Sequence, residues 1–185
     1  TAVGSSAGAA VTTGINNTLI GGLAGDALTD ADYNTVLGFN ALSADTLGSR
    51  AVAIGFEALN DQNFTSATDS YNIAIGFNAG CKVTTGVRNT LIGSKTGDAF
   101  TDADYNVALG YNALTSDTLG STSTAIGYAA LETQNFTSAT NSLNTAVGYL
   151  AGTAVTTGTL NTLVGANTGD AITTGSNNVA MGRSA

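Results

Sequence analysis

The chain has 185 residues, with 24 Gly, no Pro, no His, a single Cys and a formal net charge of −8. The missing His excludes Ser–His–Asp triads and His-ligated zinc, and one Cys cannot make an internal disulfide. Five Lys and Arg against thirteen acids leave no electrostatic footprint for nucleic acid or an anionic membrane, and no run of 18 apolar residues is present to span a bilayer as a helix.

One short pattern recurs from end to end: a β-branched residue, a small or apolar one, a large aliphatic, then Gly. In chain order it reads TAVG to Gly4, TLIG to Gly21, TVLG to Gly38, VAIG to Gly55, IAIG to Gly76 and TLIG to Gly93. It continues as VALG to Gly110, TAIG to Gly127, TAVG to Gly148, TLVG to Gly165 and VAMG to Gly182. The spacings are 17, 17, 17, 21, 17, 17, 17, 21, 17 and 17 residues, so a 72-residue period sits above the shorter one. TDADYN returns at 29–34 and 101–106, and QNFTSAT at 62–68 and 134–140. We read one domain over 1–185, built of four-coil cassettes at 4–75 and 76–147 and a partial one at 148–185, with four extra residues following Leu59 and Leu131. No leader is visible, and a segment opening on Thr1 is expected to be a piece of a longer fibre.

Seventeen residues are too few for a helix pair, and a Gly in every coil with abundant Thr and Asn disfavours helix. The period predicts an all-β fold, a parallel β-solenoid or β-roll. A weaker apolar stretch at Val11, Leu28, Val83, Phe100, Val155 and Ile172, each followed by Thr, predicts a second short strand per coil. Asn17, Asn34, Asn72, Asn89, Asn106, Asn144, Asn161 and Asn178 precede the main strands, where Asn bonds its own turn and stacks along the axis. The strand-closing Gly is expected at positive φ. Eleven rungs about 4.8 Å apart give a rod on the order of 50 Å long.

Strand alternation sends the residue before Gly and the one before that to opposite faces. The larger column (Val3, Ile20, Leu37, Ile54, Ile75, Ile92, Leu109, Ile126, Val147, Val164, Met181) is expected inside. The smaller one (Ala2, Leu19, Val36, Ala53, Ala74, Leu91, Ala108, Ala125, Ala146, Leu163, Ala180) then faces outward, and an apolar outer stripe predicts rods packed side by side. A wider coil that turns both columns inward is the alternative.

The unit N-T-[AL]-[IV]-G followed by [FY]-x-A-L, as in GFNAL at 38–42 and GYNAL at 110–114, resembles the head repeats of trimeric autotransporter adhesins and the repeat arrays of phage and bacterial tail fibres. The resemblance covers the whole chain, although coils of 17 or 21 residues are longer than those of the adhesin heads. It implies a left-handed β-roll wound as a homotrimer. It further implies an extracellular location on a cell surface, secreted filament or virion fibre, with a host-surface glycan or protein receptor as partner.

Two aromatic clusters follow the strand glycines: Phe39, Phe56 and Phe77, then Tyr111, Tyr128 and Tyr149. Rings one rung apart can stack, sealing a groove between protomers or offering a platform to sugar rings, the Tyr hydroxyls adding hydrogen bonds. The TDADYN segments set Asp30 and Asp32, then Asp102 and Asp104, in the D-x-D-x-N spacing that opens a calcium loop, yet without its Gly and distal Glu. Capped Asx-turns explain them as well. Stacked Thr resembles an ice-binding face, but the partner column mixes Thr13, Asp30 and Leu47. Cys81 aligns with Ala9 and Thr153 and reads as a small filler, and the insertions carrying Phe64 and Phe136 read as the bulges on a regular rod. No nucleophile–base pair or phosphate loop emerges; carboxylate-only glycoside cleavage by Asp61 or Glu57 is the one enzymatic option, and a non-enzyme is expected. The reading is a structural or adhesive fibre segment partnered by itself, as homotrimer or by lateral packing. The alternative is a ligand- or calcium-binding solenoid module.

Overall fold

Three residues per coil form the main strand, and every such strand joins one sheet. The computed structural model describes residues 1–185. It contains β1 (Ala2–Val3), β2 (Thr18–Ile20), β3 (Thr35–Leu37), β4 (Gly48–Ser49), β5 (Val52–Ile54), β6 (Thr68–Asp69), β7 (Ile73–Ile75) and β8 (Thr90–Ile92). The chain continues through β9 (Val107–Leu109), β10 (Gly120–Ser121), β11 (Thr124–Ile126), β12 (Thr140–Asn141), β13 (Thr145–Val147), β14 (Thr162–Val164) and β15 (Val179–Met181), with no helix. β1, β2, β3, β5, β7, β8, β9, β11, β13, β14 and β15 lie side by side in that order, all parallel. Register advances one coil per strand, as in Leu19↔Val36 and Val36↔Ala53, so the chain is a β-solenoid of eleven rungs.

The second strand expected in every coil forms only around the insertions, where β4 pairs β6 and β10 pairs β12. Elsewhere no second strand forms, although left-handed residues two and four positions after the strand Gly are common to both kinds of coil, as at Asn40 and Leu42 or Asn78 and Gly80. The coils still pair there through single residues. Thr84 N donates to Thr101 O at 2.9 Å and Thr101 N to Thr118 O at 2.9 Å, each Thr hydroxyl reinforcing the same carbonyl. Beyond the 21 backbone hydrogen bonds within the strands, many others, such as Leu42 N to Ala58 O and Gly80 N to Thr96 O, join neighbouring coils through the turns.

The strand faces are the reverse of the expectation drawn from side-chain size. Leu19, Val36, Ala53, Ala74, Leu91, Ala108, Ala125, Ala146 and Leu163 are the buried column, while Ile20, Leu37 and Leu109 stand 37–45% exposed. The coil is thin, and the volume behind the strand is filled from the opposite wall. Seven residues past each strand Gly, that wall carries Val11, Leu28, Val83, Phe100, Val155 or Ile172 wherever a Gly stands four residues past (Gly8, Gly25, Gly80, Gly97, Gly152, Gly169). A Cβ on Gly97 would sit 2.7 Å from the Phe100 ring and 3.0 Å from Leu91 Cδ2. Where Leu42, Leu59, Leu114 or Leu131 replaces that Gly, the partner is instead Asp45, Gln62, Asp117 or Gln134. Interior volume is thus traded within a coil, and a small strand residue fits.

The strand Gly is required by geometry. Gly93 has φ +136°, and a Cβ there would lie 2.5 Å from Gly110 O and 2.7 Å from Thr96 Oγ1. The buried Asn column forms a ladder broken only at Ala51 and Ser123. Asn89 Nδ2 donates to Ala103 O at 2.7 Å, and its Oδ1 accepts Asn106 N at 3.0 Å. The left-handed residue of this turn is the one before Asn, as at Arg88 (φ 58°), so Asn serves as the hydrogen-bonding hub.

Candidate functional site

With its larger column outside, the main sheet offers a continuous outward face. Three residues before each strand Gly stands Thr, Val or Ile from Thr18 to Val179, and one residue before it stands an aliphatic or Met from Val3 to Met181. Neither column contains a charge. Half-burial of Ile54, Ile75 and Ile92 comes only from neighbours along the axis, because no part of the chain crosses this face.

The aromatic columns flank that face and stack as the one-rung spacing requires. Phe39, Phe56 and Phe77 follow each other at 5.8 and 5.3 Å between ring centroids, tilted by 17° and 11°. Tyr111, Tyr128 and Tyr149 follow at 5.6 and 5.2 Å. All six are exposed. Between the two trios, at the rung of β8, the column holds Ser94, with Lys95 beside it.

A second ladder went unnoticed in the sequence. Five residues before the strand Gly, Tyr33, Arg50, Tyr71, Arg88 and Tyr105 stand on successive rungs. The Arg50 guanidinium lies 4.8 Å from the Tyr33 ring and 5.9 Å from Tyr71, while Arg88 lies 5.7 Å from Tyr71 and 5.5 Å from Tyr105. Arg50 Nε also pairs Asp69 at 3.0 Å, and Arg88 Nη1 donates to Tyr105 Oη at 3.2 Å. The alternation Tyr–Arg–Tyr–Arg–Tyr at coil spacing was the available signal.

The TDADYN acids are engaged with the preceding coil. Asp32 Oδ1 accepts Ile15 N and Asp104 Oδ1 accepts Val87 N, both at 2.7 Å. Asp30 and Asp102 accept the Thr13 and Thr85 hydroxyls. No group of three or more His, Cys, Asp or Glu side chains converges anywhere. Asp61 pairs Lys82 Nζ at 2.9 Å.

The insertions expose their tips, Thr65 to Ala67 and Thr137 to Ala139, and keep their aromatic residues inside. Phe64 and Phe136 are 6% exposed, tucked beneath β4–β6 and β10–β12. Below each lies a buried polar chain. Asn72 Nδ2 donates to Gln62 Oε1 at 2.8 Å, and Gln62 Nε2 donates to Asp45 Oδ2 at 2.6 Å. Asp45 Oδ1 accepts Gly48 N and Phe64 N. Burial pushes the Asp45 carboxyl above its ordinary range, and the hydrogen bonds from Gln62, Phe64, Gly48 and Leu47 only partly offset it. Cys81 is buried with its thiol pushed up by desolvation, as suits a filler. The one concavity, at the first coil, is lined by residues such as Thr1, Val11 and Leu19, away from every candidate above.

Searches of family models, curated proteins and solved structures return no match to this chain.

Proposed function

We propose that the chain is a rigid, non-enzymatic segment of an extracellular fibre that assembles as a homotrimer through its outward aliphatic face and meets host-surface glycans along its aromatic columns. The observation that carries this reading is the uncharged aliphatic column on all eleven rungs. At about 4.8 Å per rung and 3.3 Å per residue, eleven rungs of three-residue strand measure roughly 50 by 10 Å, or ~500 Å² of flat footprint before side-chain relief is counted, a substantial part of the ~800 Å² per partner of a standard interface. Water contact along such a stripe is unfavourable, and a second copy presents the matching periodicity. A closed ring of three buries the face of every copy and leaves the aromatic margins beside the seams.

Light scattering on the purified segment tests this. The expected species is about 55 kDa, three times the 18.2 kDa chain. Ile75→Asp, mid-face, places a charge in each buried seam and should yield folded monomer with an unchanged β spectrum. A wild-type monomer, or a trimer indifferent to Ile75→Asp, overturns the reading.

A further inference from the structure

We propose that the gap at Ser94 in the aromatic column is a seat for one acidic sugar ring, held between Phe77 and Tyr111. The proposal rests on the glycan-contact part of the function above and locates it. The column runs Phe39, Phe56, Phe77, Ser94, Tyr111, Tyr128, Tyr149 over seven successive rungs. Where rings are consecutive, their centroids are 5.2–5.8 Å apart. Replacing one ring by Ser leaves Phe77 and Tyr111 two rungs apart, roughly twice the spacing of stacked neighbours. That interval takes one more ring at the pitch of the ladder. Without it, the inner faces of Phe77 and Tyr111 lack the stacking partner that every other inner face of the column has.

The same place recurs in each cassette, and only here is it complete. The residue 72 positions before Ser94 is Gly22, between Ser5 and Phe39; the residue 72 positions after is Ala166, between Tyr149 and Arg183. A small residue is therefore kept in the second coil of all three cassettes, while a ring on both sides occurs only around Ser94. At Gly22 an added Cβ would lie 3.3 Å from the Phe39 ring, so the ring of the following rung stands directly against this position.

The surrounding chemistry selects the occupant. Pyranose C–H groups carry positive edges that suit the π faces on either side, and the Ser94 and Tyr111 hydroxyls bond to ring hydroxyls. Lys95 is exposed and makes no salt bridge, whereas Lys82 and Arg50 are paired; Asp98 feels the Lys95 charge, and the ammonium can turn from there to a ligand carboxylate. An extended peptide gains its affinity from an unpaired strand edge, and β8 is paired on both sides. The net charge of −8 repels densely charged polymers, so the fitting ligand carries one acid per few sugars.

The experiment uses saturation-transfer NMR and calorimetry with sialyllactose, lactose as the neutral control and a heparin oligosaccharide as the dense polyanion. Wild type should bind sialyllactose more tightly than lactose or heparin. Ser94→Phe completes the ladder and should abolish that binding, with folding and oligomeric state unchanged. Lys95→Asn, the residue found at Asn167, should weaken acidic-sugar binding about ten-fold, the loss of one charge-assisted hydrogen bond. Binding that survives Ser94→Phe but falls in Tyr128→Ala overturns the seat and leaves glycan contact by the columns standing. No binding to any sugar overturns both. A changed oligomeric state in Ser94→Phe assigns the gap to a neighbouring copy and overturns the proposal.

Discussion

Replacing Asn89 by Ala tests whether the buried Asn ladder holds the coils in register. The side chain is fully buried, donates from Nδ2 to Ala103 O at 2.7 Å and accepts Asn106 N at 3.0 Å on Oδ1. Truncation removes both, and neither orphaned backbone group gains a route to solvent. An unsatisfied buried polar group costs about 1–3 kcal/mol, so the substitution should destabilise by about 2–6 kcal/mol. The chain itself shows what compensation requires. The ladder is interrupted at Ala51 and Ser123, and one coil later Asn72 N and Asn144 N are answered by Ser70 Oγ and Ser142 Oγ at 3.5 and 3.4 Å. The Asn89 rung has no such serine. Because stacked repeats can open locally, the measurement is amide hydrogen exchange at Asn106 alongside urea denaturation. Protection at Asn106 should fall by the same free energy. A loss below about 0.5 kcal/mol with Asn106 still protected would refute the ladder's role, being the range of ordinary surface changes.

Three further outcomes are expected. Leu91→Ala should cost about 2–5 kcal/mol of stability, while Ile92→Ala, one residue along, should leave the isolated coil stack intact and weaken only self-association; the opposite ranking in urea melts would restore the size-based assignment of faces. Asp45 has its folded carboxyl raised above the ordinary value of 3.8, so its ionised form disfavours the fold. Stability should therefore rise as pH falls from 7 through that raised value, a component that thermal melts should show missing in Asp45→Asn. Calcium or a chelator should leave the melting temperature unchanged, because Asp32 and Asp104 already accept backbone amides at 2.7 Å; a calcium-dependent rise would reinstate a metal site at TDADYN.

Rung number, parallel stacking and the 72-residue cassette were legible because glycine spacing is set by backbone geometry that no other residue tolerates, as at Gly93. The aromatic stacks were legible for the same reason, since a fixed rung turns sequence spacing directly into distance. Burial was not. Period-2 alternation identifies two faces without saying which is inner, and side-chain size points the wrong way when the opposite wall supplies the volume. The trade between Gly97 and Phe100, or between Leu42 and Asp45, becomes informative only once those residues are known to face each other across the coil. The Tyr–Arg ladder escaped because its rungs bear no common residue type; what they share is a left-handed backbone, which a composition pattern does not display.

That last column also separates scaffold from surface. The residue five before the strand Gly has φ between 50° and 62° at Asn16, Tyr33, Arg50, Tyr71, Arg88, Tyr105, Thr122, Leu143, Leu160 and Asn177. Asn adopts this conformation most readily among non-glycine residues, and bulky or branched side chains adopt it at a cost. The fold therefore accepts Asn or Leu where Arg88 stands, as its counterparts Asn16 and Leu160 show, and gains nothing in backbone energy from Arg or Tyr. The column after the strand Gly behaves alike, each of Phe39, Phe56 and Phe77 becoming Tyr 72 residues on while the strands beneath keep their pairing. The inner strand column, the strand glycines and most of the Asn rungs hold the coil at nearly every repeat. Side-chain identity changes most freely at the two margins of the outward face, where neither strand pairing nor the left-handed backbone specifies it.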